Sequence, residues 1–163
     1  MLPKSITLLL SCIFYFSFVM ANTFASETSE MTLEHKNWLR DKFSEQHEKL
    51  IPIVAVADMF FACNQVRKTD DADHQVTGLV TKINRNELAE KLSLCLKGEL
   101  PNSDTALNFG LIGCFHEQLK ELPEEDRKVK EKLVKQAISR LSKAERQKSF
   151  TQCVTDQAIG YLK

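Results

Sequence analysis

The sequence predicts an all-α, single-domain bundle of about five to six helices stapled by two disulfides. Three observations carry that expectation. Five glycines and four prolines in 163 residues are about half the usual share, which disfavours turn-rich β architectures. No segment alternates apolar and polar residues as a half-buried strand does, whereas several repeat them at helical spacing. Finally, Cys63, Cys95, Cys114 and Cys153 each fall on an apolar stretch at similar depth from a helix-start signal.

Residues 1–25 hold one charge, Lys4, and then an apolar run from Ile6 to Met20, with small residues at Ala21 and Ala25. This is the pattern of a cleavable secretory signal, with cleavage expected after Ala25. Fifteen apolar residues fall short of the ~20 that span a bilayer, so no stable membrane insertion is expected once the signal is removed. Removal takes Cys12 with it and leaves an even set of four cysteines, which an oxidising compartment would join in pairs. No Asn-x-Ser/Thr acceptor occurs, which favours the periplasm over a glycosylating secretory route, with the extracellular space as the other destination. Residues 26–163 then form a single helical domain.

Along that domain, Thr32 to Leu50 reads as an amphipathic helix whose Leu39, Phe43 and Leu50 cover a core, with Trp38 sealing it. Pro52 suits a first helical turn and opens the apolar run Ile51 to Cys63, the expected central helix. Thr69 to Gly78 is the most polar stretch and reads as a loop, followed by a short helix over Leu79 to Ile83. Asn86 is expected to cap a helix through Leu88, Leu92 and Cys95 that stops at Gly98. Ser103 or Asp104 starts the next, with Leu107, Leu111, Cys114, Phe115 and Leu119 inward. Pro123 opens another, with three acids in its first turn and a stripe of Val129, Leu133, Val134, Ala137, Ile138 and Leu141 expected to be buried. Ser142-Lys143-Ala144-Glu145 is a capping box that launches a last helix through Phe150, Cys153, Val154 and Ala158.

Equal depth pairs Cys63 with Cys95 and Cys114 with Cys153, one bridge for each up-down-up unit, over about residues 50–98 and 103–163. Cys95 and Cys114 sit on helices joined by a short turn, at heights that differ by roughly 10 Å at 1.5 Å per residue, too far for a bridge. With no Cys-x-x-Cys present, the bridges read as stabilising devices and not as a redox centre.

No catalytic motif emerges, so no enzyme, cofactor or metal site is expected. His47-Glu48 and His116-Glu117 each lack a second histidine four residues on, where Ile51 and Lys120 stand, so the zinc-protease pattern fails. Cys114-Phe115-His116-Glu117 resembles the Cys-x-His-Asp stretch of secreted phospholipases A2 over four residues, but Glu replaces Asp and the Gly-rich calcium loop is missing. An EF-hand begun at Asp71 would need Gly and Glu where Val76 and Lys82 stand.

Charge balances overall, with 22 basic and 22 acidic residues, which argues against a nucleic-acid binder. Locally it does not: Arg127 to Lys148 carries nine Lys/Arg and two Glu. Two surfaces therefore become candidates for binding a partner, the loop with Asp70, Asp71, Asp73 and His74, and the basic face with Lys130, Lys135 and Arg140. The expected function is that of an exported protein acting on a protein partner, as an inhibitor, immunity protein or accessory subunit. The alternative is a carrier of a small apolar or lipid ligand, in a cavity lined by Met59, Phe60, Phe61 and Phe115.

Overall fold

The computed structural model describes residues 32–162, so the expected signal over residues 1–25 lies outside the described range. Six helices and no strand occur among those residues: α1 (Leu33–Arg67), α2 (Val76–Lys82), α3 (Arg85–Leu96), α4 (Asp104–Gln118), α5 (Glu124–Ile138) and α6 (Lys143–Gly160). Trp38–Lys163 forms one compact unit. Of the unit Met1–Asn37, the described part is the first turn of α1, where Thr32 Oγ1 accepts the backbone N–H of His35 at 3.3 Å.

Two features of α1 differ from the sequence expectation. Pro52 lies inside the helix and does not begin it. An interior proline removes one backbone hydrogen bond and crowds the preceding turn, at a cost of about 3 kcal/mol, and burial from Val54 to Asn64 offsets it. Further, Trp38, Leu39 and Phe43 are 54%, 41% and 47% exposed and cover no core. Burial begins only near Leu50, so Pro52 marks where α1 joins the core. By length and mean hydropathy α1 could cross a membrane, but half of its most apolar window is buried against the other helices.

The helix ends follow local chemistry. Lys68, with φ of 50°, ends α1 in the left-handed region. The cap of α3 is Asn84, in place of the expected Asn86: its extended backbone lets the side chain accept the N–H of Asn86 at 2.8 Å. Lys97 and Gly98, both at positive φ, terminate α3. Ser103 caps α4. Ser142 and Glu145 form the anticipated box at α6, with Ser142 N donating to Glu145 Oε2 at 2.8 Å.

Both bridges pair as expected, Cys63–Cys95 and Cys114–Cys153, with Cα separations of 6.2 and 6.3 Å. Polar and packing contacts hold the helices of each pair level. Arg146 of α6 donates to Asp104 of α4 at 2.6 Å, so the two helices start level and run parallel, and α5 is the return connection, packed on α4. In the first half, Pro52 and Val56 flank the same small cleft as Arg85 and Ala89, which sets α3 level with the buried part of α1.

The core is Val54, Ala57, Phe60, Leu79, Leu88, Leu96 and Leu111, all 1% exposed or less, with both bridges among them. Two glycines on α4 permit its close packing. A Cβ at Gly110 would lie 2.5 Å from the Phe150 ring, and one at Gly113 would lie 2.2 Å from the Asp58 carbonyl oxygen. Phe150 can tilt, whereas the α1 backbone has no such freedom.

The expected stripe on α5 is where burial departs furthest from the sequence. Ile138 is buried and Val134 packs against the core, but Val129 and Leu133 are 62% and 58% exposed and Ala137 also faces solvent. α5 packs against α4 alone among its strong neighbours, so only one edge of its wide apolar stripe is covered.

Two outcomes are expected. Replacing either cysteine pair by alanine should cost about 4 kcal/mol in urea unfolding, from the closure of loops spanning 32 and 39 residues. Gly113→Ala should cost 2 kcal/mol or more and exceed Gly110→Ala, because overpacking against backbone relaxes least; thermal melts of the two variants give the order.

Candidate functional site

The loop between α1 and α2 is held from within. Asn64, buried on α1, accepts the N–H of Asp70 at 2.8 Å and donates to its carbonyl at 3.0 Å. The Asp70 carboxylate meets Lys91 of α3, lies 2.9 Å from His74 Nε2 and accepts the N–H of Ala72. These donors, Lys91 foremost, hold the Asp70 carboxyl far below the usual carboxylate range. His74 also turns its ring edge toward Phe60, centroids 5.5 Å apart. Of the four candidates in this loop, Asp70 and His74 therefore tie it to α3 and the core, while Asp71 and Asp73 face solvent. Among the described residues no group of three or more His, Cys, Asp or Glu is placed to hold a metal ion.

The remaining histidines are engaged as well. His47 Nε2 lies 2.9 Å from the Thr155 carbonyl and joins α1 to α6. His116 Nδ1 lies 2.8 Å from Glu131 Oε1 and its ring packs on Phe61 at 4.5 Å. Glu117 collects Thr77 at 2.8 Å and Lys120 at 2.7 Å.

The basic candidates separate into two groups. Lys130 is exposed on α5 next to Val129 in sequence, and Arg140 is exposed in the turn that follows α5. Lys135 lies where α5 faces α1 and α4 across a cavity of about 400 Å³. Phe61, Ala62, Ile112, Phe115 and Val134 give this cavity an apolar floor. Its polar wall comes from Arg127, Glu131 and Lys135, spaced four residues apart on one face of α5. Two of the four aromatic and apolar residues expected to line a cavity do so, Phe61 and Phe115. Met59 and Phe60 are instead closed in the core, at 6% and 0% exposure.

Sequence reading missed two features. Arg127 and Glu131 line the cavity, and nothing in their spacing distinguishes them from the other charges of α5. Asp58 was passed over, although a lone carboxyl inside the apolar run from Ile51 to Cys63 was visible. It is wholly buried, with Oδ1 3.2 Å from the Gln157 amide and Oδ2 without a partner. Burial, reinforced by the nearby charge of Glu117, pushes its carboxyl well above the usual range against the opposing Gln157 contact. Burial shifts such a group toward its protonated form.

Compared with known proteins, the chain matches no protein family, no curated relative and no solved structure.

Asp58 sets a pH dependence. With its pKa raised on folding, the folded state keeps a proton that the unfolded chain releases above about pH 4. Its effect on stability is therefore fully favourable below that pH and is lost as pH rises toward the folded value, at up to about 1.4 kcal/mol per unit. Asp58→Leu, which removes the proton and the unpaired oxygen together, should gain stability on wild type progressively as pH rises above 4 in urea titrations. A constant difference between the two proteins from pH 4 to 8 would show that Asp58 ionises normally.

Proposed function

We propose that the protein is exported to the periplasm or beyond and acts by covering a surface of a protein partner, in the manner of an inhibitor, immunity protein or accessory subunit. The observation that carries this reading is the outer face of α5. Val129 and Leu133 stand exposed one turn apart, with the exposed Lys130 and Lys132 next to them in sequence. Large apolar side chains left together in solvent on a stapled scaffold are typical of a recognition patch, and the flanking cations suit a partner whose apolar contact is ringed by carboxylates. The two bridges are consistent with an oxidising, exported compartment, and the sequence pattern of residues 1–25 supplies the route.

Partner binding by surface coverage needs no reactive centre, and this agrees with the engagement of His47, His74, His116 and Asp70 in the fold. The acidic loop is the weaker candidate surface, since half of its charged side chains are already committed to holding its shape.

Val129→Glu with Leu133→Glu tests the reading. Both positions are solvent-exposed, so folding stability should shift by less than about 1 kcal/mol. Affinity capture from the native periplasm, with bands identified by mass spectrometry, should yield a protein retained by wild type and by Asp71→Lys/Asp73→Lys but lost from the glutamate variant. Retention by the glutamate variant, with loss from the loop variant, would move the interface to the acidic loop and overturn the assignment to α5.

A further inference from the structure

The cavity between α1, α4 and α5 combines an apolar floor with two cations, Arg127 and Lys135, against one lining carboxylate, Glu131. Neither cationic side chain forms a salt bridge or side-chain hydrogen bond among the described residues, although the Glu124 carboxylate lies close enough to Arg127 to feel its charge. The one carboxylate in the lining, Glu131, is engaged by His116 Nδ1 at 2.8 Å. The lining thus has a positive excess over a floor of Phe61, Ala62, Phe115 and Val134. Gln65 and Gln75, also in the wall, add neutral hydrogen-bonding groups.

Size and charge together select a ligand class. A cavity of 150 Å³ accepts benzene, so the 400 Å³ here corresponds to roughly fifteen non-hydrogen atoms on the same scale. This also lies within the usual range for small-molecule sites, about 300–1,000 Å³. An uncharged hydrocarbon would leave Arg127 facing apolar matter, and a long-chain diacyl lipid is too large. A single acyl chain of about twelve carbons ending in a carboxylate fits both demands. Of the two cations, Arg127 is the better partner for the head group: it is half-buried where Lys135 is exposed, and its planar fork matches a carboxylate in two-point contact.

We propose that this cavity binds a free acyl carboxylate of about twelve carbons, its chain on Phe61, Ala62 and Phe115 and its carboxylate on Arg127. The site is independent of the outer α5 face, since Val129 and Leu133 point away from it. It revises the carrier expectation drawn from sequence: the lining uses Phe61 and Phe115 and excludes Met59 and Phe60, and it adds a charge requirement that an apolar-ligand carrier would lack.

The test is isothermal titration calorimetry of the disulfide-intact protein with dodecanoate, kept below its micellar range, alongside dodecanol and 1-dodecanoyl lysophosphatidylcholine. Saturable 1:1 uptake of dodecanoate is expected, with dodecanol at least tenfold weaker. Arg127→Gln should weaken dodecanoate at least tenfold, the scale of a lost charge-assisted hydrogen bond, and Lys135→Gln less than threefold. Val134→Phe, which narrows the cavity, should weaken acid and alcohol alike, with circular dichroism confirming the helical fold and Arg127→Gln serving as the second variant if it does not. Absence of dodecanoate uptake by the wild-type protein overturns the proposal, as does equal affinity for dodecanol. Preference for the lysolipid would assign the cavity to a membrane-derived chain and overturn the free-acid reading, and a loss confined to Lys135→Gln would overturn the placement of the head group.

Discussion

The contact on which the arrangement depends is the approach of α4 to the backbone of α1 at Gly113. Each disulfide lies within its own half, one joining α1 to α3 and the other α4 to α6. Neither bridge fixes one half against the other. That falls to the site where a side chain on Gly113 would strike the Asp58 carbonyl, and to a few polar links around it: Gln157 to Asp58, Thr77 to Glu117, His47 to Thr155. Close backbone approach brings many weak dispersion contacts into range at once, and it is what lets Phe61 reach the His116 ring. The geometry of the cavity wall follows from it. Arg67 plays a comparable part at the other end of α1, donating to the Cys95 carbonyl at 2.7 Å and to Glu99 at 2.8 Å while its guanidinium lies 5.3 Å from the Phe109 ring centre.

How much of this was legible in the chain depends on whether the cause is local. Capping boxes, terminal glycines and proline positions act over a few residues, so Ser142, Ser103, Gly98 and Pro123 could be read directly. The cysteine pairing was legible because depth along parallel helices is arithmetic on those local starts. Pro52 misled because the residues before it are themselves helical. A proline at a first turn and a proline inside a continuous helix look alike when both flanks favour helix, and only the burial that begins after Leu50 decides the matter. The α5 stripe misled for a different reason. Periodicity reports that one side of a helix is apolar, not how much of that side a neighbour covers. With α4 as its main neighbour, α5 buries Ile138 and leaves Val129 and Leu133 outside.

The same distinction explains why the candidate sites were only half legible. Clusters such as Asp70 to His74 look reactive in one dimension because the partners that neutralise them come from elsewhere: Lys91 from the third helix, Asn64 from the first, Phe60 from the core. Conversely, Arg127 and Glu131 looked like ordinary surface charges, and only the fold sets them against Phe61 and Phe115. Asp58 belongs to neither case. Its burial was implied by the apolar run around it, and its unpaired Oδ2 is a cost that the fold carries beside its tightest helix contact.

α5 stands apart from the other long helices in ways that bear on how the protein works. It carries no cysteine, it has one buried residue, Ile138, and both of its connections are short turns. Elements with few buried contacts open at lower free energy than the global unfolding reaction, so among the long helices within the compact unit α5 is the one most readily displaced. It also presents both surfaces of interest, Val129 and Leu133 outward and Arg127 with Lys135 toward the cavity. The Cys114–Cys153 bridge fixes α6 directly against α4, so within the second half α5 is the helix left unbridged.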